Sequence, residues 1–125
     1  MATQLLKHPQ DDARMITEAV LRIGDFWGLT NAKLGQIVGL SATSVSRLRA
    51  GTAIIEPPSK SFEAGQYLSR LFRSLDAILG SDDAAARRWL VSFNDDLEAR
   101  PADLLDSFKG LMTLCDYVDA FRARV

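Results

Sequence analysis

Between residues 29 and 51 the chain reads LTNAKLGQIVGLSATSVSRLRAG, two short helical patterns parted by a glycine. Few folds accommodate that arrangement. Thr30 is placed to cap the first helix, and Leu34, Ile37 and Val38 then recur three or four residues apart on one face. Gly39 falls where a tight inter-helix turn needs positive φ, and Leu40 follows as a plug for the corner. Ser41 is a good N-cap for a second helix that buries Val45 and Leu48 and stops at Gly51. Gly35 is small where two crossed helices would approach closely. The pattern predicts a helix-turn-helix.

The residues left exposed on the second helix point to a polyanion. Ser41, Thr43, Ser44, Ser46, Arg47 and Arg49 are short hydroxyls and long guanidiniums, with no acid among them. Hydroxyls of that length let a helix approach phosphates and base edges, and an Arg can pair two acceptors on guanine. The expected DNA-binding set is therefore Ser41, Thr43, Ser44, Arg47 and Arg49, with Lys33 and Gln36 of the preceding helix as phosphate contacts. An ordinary helical hairpin with solvated hydroxyls shares the spacing but gives no reason for the acid-free face.

The net charge of −1 does not suit a DNA binder until the chain is divided. Residues 1–60 hold seven Lys or Arg against five Asp or Glu, whereas residues 61–125 hold eight against eleven. A weakly basic front joined to an acidic rear suggests two surfaces with different partners. Such a front would bind DNA well only as a dimer or larger assembly, because phosphate neutralisation supplies much of the affinity.

Nearly every segment has helical periodicity, so the expected fold is all-α. A first helix over residues 11–27 carries the stripe Ile16, Ala19, Val20, Ile23, Phe26 and Trp27. Pro57 and Pro58 break the pattern over residues 52–61, which sets the expected boundary between parts 1–58 and 59–125. Ile54 and Ile55 there would be pinned to the first part or belong to a dimer contact. A long helix over residues 62–79 follows, with Leu68, Leu71, Phe72, Leu75, Ile78 and Leu79 in a regular stripe. Dimerisation is expected through this helix or the region around it. Gly80 ends it and Ser81 starts the next helix, which carries Trp89, Leu90 and Phe93 until Asn94 interrupts. Pro101 opens a short helix, PADLLDSF, and Leu111, Leu114, Cys115, Val118 and Phe121 mark the last one.

An enzyme is not expected. The single histidine, His8, lies in the N-terminal arm, which makes a histidine-based catalytic or metal site implausible. No glycine-rich phosphate loop occurs, and the pairs Asp82–Asp83 and Asp95–Asp96 fit a helix start and a polar loop. No cofactor is implied. No apolar run approaches the ~20 residues of a membrane span. The N-terminus lacks the apolar core of a secretory signal, and one cysteine fits a cytosolic setting.

The second part carries a resemblance. The segment RRWLVSFNDDLEARPADLLDSFKG resembles the Xre/MbcA/ParS toxin-binding domain of bacterial antitoxins. Its ordered elements are Trp89, Asn94, Leu97, the Arg100–Pro101 step and Asp103-Leu104-Leu105, followed by Gly110. Phe93 stands where members often have Pro. The resemblance covers the chain from about residue 62 onward, and such antitoxins also carry an Xre-like helix-turn-helix. What it implies is the antitoxin of a type II system, made beside a RES-type toxin that consumes NAD. The antitoxin would occlude the toxin's NAD pocket, and its front would repress the shared operon. The implied toxin-binding residues are Trp89, Asn94, Arg100, Pro101, Leu104 and Leu105. At the C-terminus Phe121, Arg122, Arg124 and the carboxylate of Val125 would plug the pocket. Leu104 and Leu105 are adjacent on a helix, so one can face the core while the other reaches a partner. The rival reading is a stand-alone helix-turn-helix regulator whose rear half dimerises or senses a ligand.

Overall fold

A computed structural model describes residues 9–124 as seven helices, with no strand among the described residues. They are α1 (Pro9–Phe26), α2 (Asn31–Val38), α3 (Ala42–Ala50), α4 (Lys60–Leu79), α5 (Asp83–Val91), α6 (Pro101–Leu104) and α7 (Phe108–Arg124). His8 and Val125 lie outside the described residues. None of these helices is long and apolar enough to cross a membrane.

The local rules visible in the sequence are obeyed at the helix ends. Thr30 accepts a hydrogen bond from the Lys33 amide at 3.0 Å, and Ser41 accepts one from the Ser44 amide at the same distance. Each hydroxyl satisfies an amide that the first helical turn leaves without a partner. Gly39 closes α2 in the left-handed region at φ 77°, and its successor's amide bonds back to the Gly35 carbonyl at 2.7 Å. A Cβ at Gly35 would stand 2.3 Å from the Leu40 carbonyl oxygen. Position 35 is therefore empty because the turn's own backbone passes there, more than because helices cross. The next helix start differs by one residue from expectation. Asp82, not Ser81, caps α5 by accepting from the Ala85 amide at 3.0 Å.

Helix α4 is the spine. It packs against α1 on one side and against α7 on the other, and it also meets α2 and α5. Its buried Leu68, Leu71 and Leu75 join Val20, Ile23 and Trp27 of the front to Leu111, Leu114, Cys115 and Val118 of the rear in one core. A Cβ at Gly65 would meet Ile16 at 2.6 Å, so this glycine sets how closely α1 lies on α4. Phe26, placed on the core stripe by periodicity, is 42% exposed and stacks on Phe72 with ring centroids 5.6 Å apart. The segment through Pro57 and Pro58 is non-helical, as expected. Ile55 in it is buried and anchored, its amide donating to Thr17 Oγ1 at 2.9 Å, while Ile54 stays exposed.

The expected helix PADLLDSF is cut short. It ends at Leu104, because Ser107 starts the next helix instead: its Oγ accepts from the Gly110 amide at 3.0 Å. Residues 105–107 form the turn between α6 and α7. The two helices are nearly in backbone contact there, since a Cβ at Gly110 would lie 1.7 Å from the Leu104 carbonyl oxygen.

Candidate functional sites

Helix α3 presents two different faces. Val45 and Leu48 are buried beneath it, while Ser41, Thr43, Ser46 and Arg47 are exposed on it, with Ser44 half-buried. Ser41 Oγ also donates to Ser44 Oγ at 3.0 Å, so both hydroxyls are oriented at the N-terminus of α3. That end carries the positive pole of the helix dipole, which favours a phosphate. The guanidinium of Arg47 makes neither a hydrogen bond nor an ion pair with any described residue, whereas the backbone around it is held firmly. Its carbonyl accepts from the Thr52 amide at 3.0 Å and from Thr52 Oγ1 at 3.3 Å. Gln36 is exposed on α2.

Two members of the expected DNA set make contacts within the chain. Arg49, unlike Arg47, has partners on neighbouring helices. Its Nε donates to Asn31 Oδ1 at 2.7 Å and its Nη1 to Asp25 Oδ1 at 3.0 Å, tying α3 to α2 and α1. The reason is geometric: residues two apart on a helix point about 200° away from each other, so one of the pair must turn inward. Asn31 completes this clamp by donating to Ser46 Oγ at 3.2 Å. Lys33 is the second. Its ammonium donates to the Ala102 carbonyl at 2.7 Å and forms an ion pair with Asp106. Lys33 thus latches the helix-turn-helix to the α6–α7 turn.

The rear candidates separate in the same way. Pro101 and Leu105 are wholly buried and belong to the core under α6. Leu104 beside them is half-buried and Arg100 exposed, which leaves those two at the surface. Arg100 forms an ion pair with Asp103 one turn on, Nε to Oδ2 at 3.1 Å. Trp89 is half-buried and packs against the core. Asn94 is also half-buried and organises a loop. It exchanges backbone hydrogen bonds with Ala99, its Oδ1 accepts from the Leu97 amide at 3.0 Å, and its Nδ2 reaches the Tyr117 hydroxyl at 3.4 Å. Tyr117 in turn donates to Asp96 Oδ2 at 2.7 Å. Burial and the Asp96 charge raise the Tyr117 phenol above its ordinary pKa. These polar links hold the loop of residues 92–100 in one shape.

At the C-terminal end of α7 the aromatic and basic candidates come together. Phe121 is 38% exposed, meets Tyr117 edge-on at 5.0 Å and carries the Arg124 guanidinium 5.5 Å above its ring. Arg122 Nη1 donates to Ser74 Oγ at 3.3 Å. Ser74 Oγ donates to Asp119 Oδ1 at 2.7 Å, and Arg70 Nε donates to Asp119 Oδ2 at 2.7 Å. Burial works to raise the Asp119 carboxyl, but Ser74, Arg70 and Arg122 together hold it below the ordinary carboxylate range. The sequence reading puts Phe93 on the apolar pattern of this helix, but α5 ends at Val91, and Val91 and Phe93 are exposed by 61% and 65%. Their signal was an apolar residue off the buried stripe beside the motif. Cys115, by contrast, is a core residue, and burial pushes its thiol up to about 11.

A helix-turn-helix joined through one spine helix to a small helical module defines a two-part helical protein. Residues 8–73 match the antitoxin Xre-like helix-turn-helix domain, and residues 74–124 match the antitoxin Xre/MbcA/ParS C-terminal toxin-binding domain. The chain belongs to the Xre-like antitoxin family. The two matches meet inside α4, which the sequence reading assigns wholly to the second part. The comparison with curated proteins found no match.

Proposed function

We propose that this antitoxin neutralises a RES-type, NAD-consuming toxin by covering its active site, and that as a homodimer it represses its own operon. The observation that supports this reading most is the adjacency of the two family matches across a single continuous helix. Burial shared by α1, α4 and α7 joins the two matched regions in one core.

The division between a DNA part, residues 1–58, and a toxin part, residues 59–125, belongs to this proposal. In the first part Arg47 reads a base edge, while Ser41, Thr43, Ser44 and Gln36 contact phosphates. In the second part Arg100, Leu104, Phe121, Arg122 and Arg124 meet the toxin directly, with Val125 at the end of the tail. Trp89, Asn94, Pro101 and Leu105 act from beneath by holding those contacts in place. No residue is assigned a catalytic role, and no cofactor is required. The protein works in the cytoplasm, where the operon and the toxin are.

Co-expression with the product of the neighbouring reading frame tests the reading. The expected result is rescue of growth and co-purification of the two proteins, with rescue lost when residues 122–125 are deleted. Growth arrest that the intact chain does not relieve would overturn it.

A further inference from the structure

The outward stripe of α1 is complementary to itself. Met15, Glu18, Arg22 and Phe26 follow one another at intervals of three or four residues and line a single groove beside α4. Met15 and Phe26 are 59% and 42% exposed, a large apolar presence at both ends of the stripe. Between them Glu18 and Arg22 form no ion pair with any described residue. Small Ala19 lies at the middle of the stripe, where two helices could come closest.

A two-fold interface uses the same patch on both copies, so each residue must find its complement on that same patch. This stripe meets the condition in one register. Laid antiparallel on a copy of itself about an axis near Val20 and Leu21, α1 sets Glu18 opposite Arg22 of the copy. The same register brings Met15 beside Phe26, about one residue or ~1.5 Å from direct opposition. Both pairings occur twice. Arg73 of α4 lines the same groove, a second cation on its other wall.

We propose that a second copy of this chain docks on α1 in this antiparallel register. The inference rests on the operator-binding reading in one respect: a two-fold pair supplies the two recognition helices a palindromic site needs. The size of the face sets the strength. An 18-residue α1 is about 27 Å long, and with α4 8–10 Å beside it the face covers roughly 500 Å² per copy. About 1,000 Å² in total is the lower edge of a specific interface, so the dimer is weak and concentration-dependent in the absence of DNA.

Sedimentation velocity of the full chain over a range of concentrations tests this. The native chain is expected to pass from monomer to dimer. Glu18→Arg and Arg22→Glu, each alone, place like charges opposite at both symmetric pairs and should weaken association by on the order of tenfold or more. Both positions are exposed, and unchanged circular dichroism and melting temperature will show that each variant folds. An equimolar mixture of the two variants is expected to restore the dimer, because opposite charges then meet at both pairs. A native chain monomeric throughout, single variants that dimerise normally, or a mixture that stays monomeric would each overturn the proposal. Gel shift with the chain's own upstream DNA separates the two ideas. Rescue without DNA binding keeps the interface and sinks the operator reading; two copies bound to DNA without rescue does the reverse.

Discussion

Replacing Gly110 by alanine should damage the rear module far more than one methyl group suggests. The new Cβ would stand 1.7 Å from the Leu104 carbonyl oxygen, where ordinary contact starts at 3.4 Å. The obstacle is backbone, so α6 and α7 must separate by about 1.7 Å, the difference between those distances. That movement uncovers Leu105 and Leu111, both fully buried. Full burial of a leucine is worth about 2 kcal/mol, so losing half at each removes roughly 2 kcal/mol. Residual overpacking adds about 1 kcal/mol, for a total near 3 kcal/mol. An unfolding entropy of ~2.1 cal/mol/K per residue gives roughly 0.26 kcal/mol/K for 125 residues, or about 4 °C per kcal/mol. Gly110→Ala should therefore lower the melting temperature by about 12 °C in a calorimetric scan. Gly51→Ala is the control. It has positive φ and nothing within 4 Å, so it carries only the left-handed penalty of ~1 kcal/mol, about 4 °C. A Gly110→Ala protein melting within a degree or two of the native chain would refute the steric argument.

Three further outcomes are expected. Arg47→Ala should cost about 1–3 kcal/mol in binding to upstream DNA, read by gel shift, whereas Arg49→Ala should lower thermal stability by loosening α3 from α1 and α2. Equal gel shifts for native and Arg47→Ala proteins would remove Arg47 from base reading. A double-mutant cycle on Lys33 and Asp106 should give a coupling of about 0.5–1 kcal/mol that shrinks with added salt, because the pair is partly exposed. Strict additivity would mean the latch holds nothing. Asp119 has a lowered folded pKa, so its stabilisation is complete above the unfolded carboxylate value and is lost as pH falls through the folded one. Asp119→Asn should flatten the acid limb of a stability-versus-pH curve, and an unchanged limb would contradict that.

The parts of the fold written in short-range chemistry were legible. Thr30, Ser41, Gly39 and Gly51 mark helix ends through short-range bonds, and the apolar periods of α1, α4 and α7 name most of their buried faces, with Phe26, Ile78 and Phe121 left exposed. What escaped depends on partners distant in the chain. Lys33 finds Asp106 and Ala102 about seventy residues away, a meeting no local pattern announces. Arg49 could have been set apart from Arg47 by helical angle alone, but its partners Asp25 and Asn31 could not have been named. At positions 104 and 105 the sequence showed that one leucine must face inward; only the packing of α6 on α7 decides that it is Leu105. The exposed Val91 and Phe93 were hidden by the opposite fault, since apolar residues near a helix end read as core.

The most direct test of the proposed function is NAD turnover by the purified product of the neighbouring reading frame as increasing amounts of this chain are added. Activity is expected to fall to zero at a fixed molar ratio. Turnover that continues undiminished with the antitoxin in excess would contradict the account.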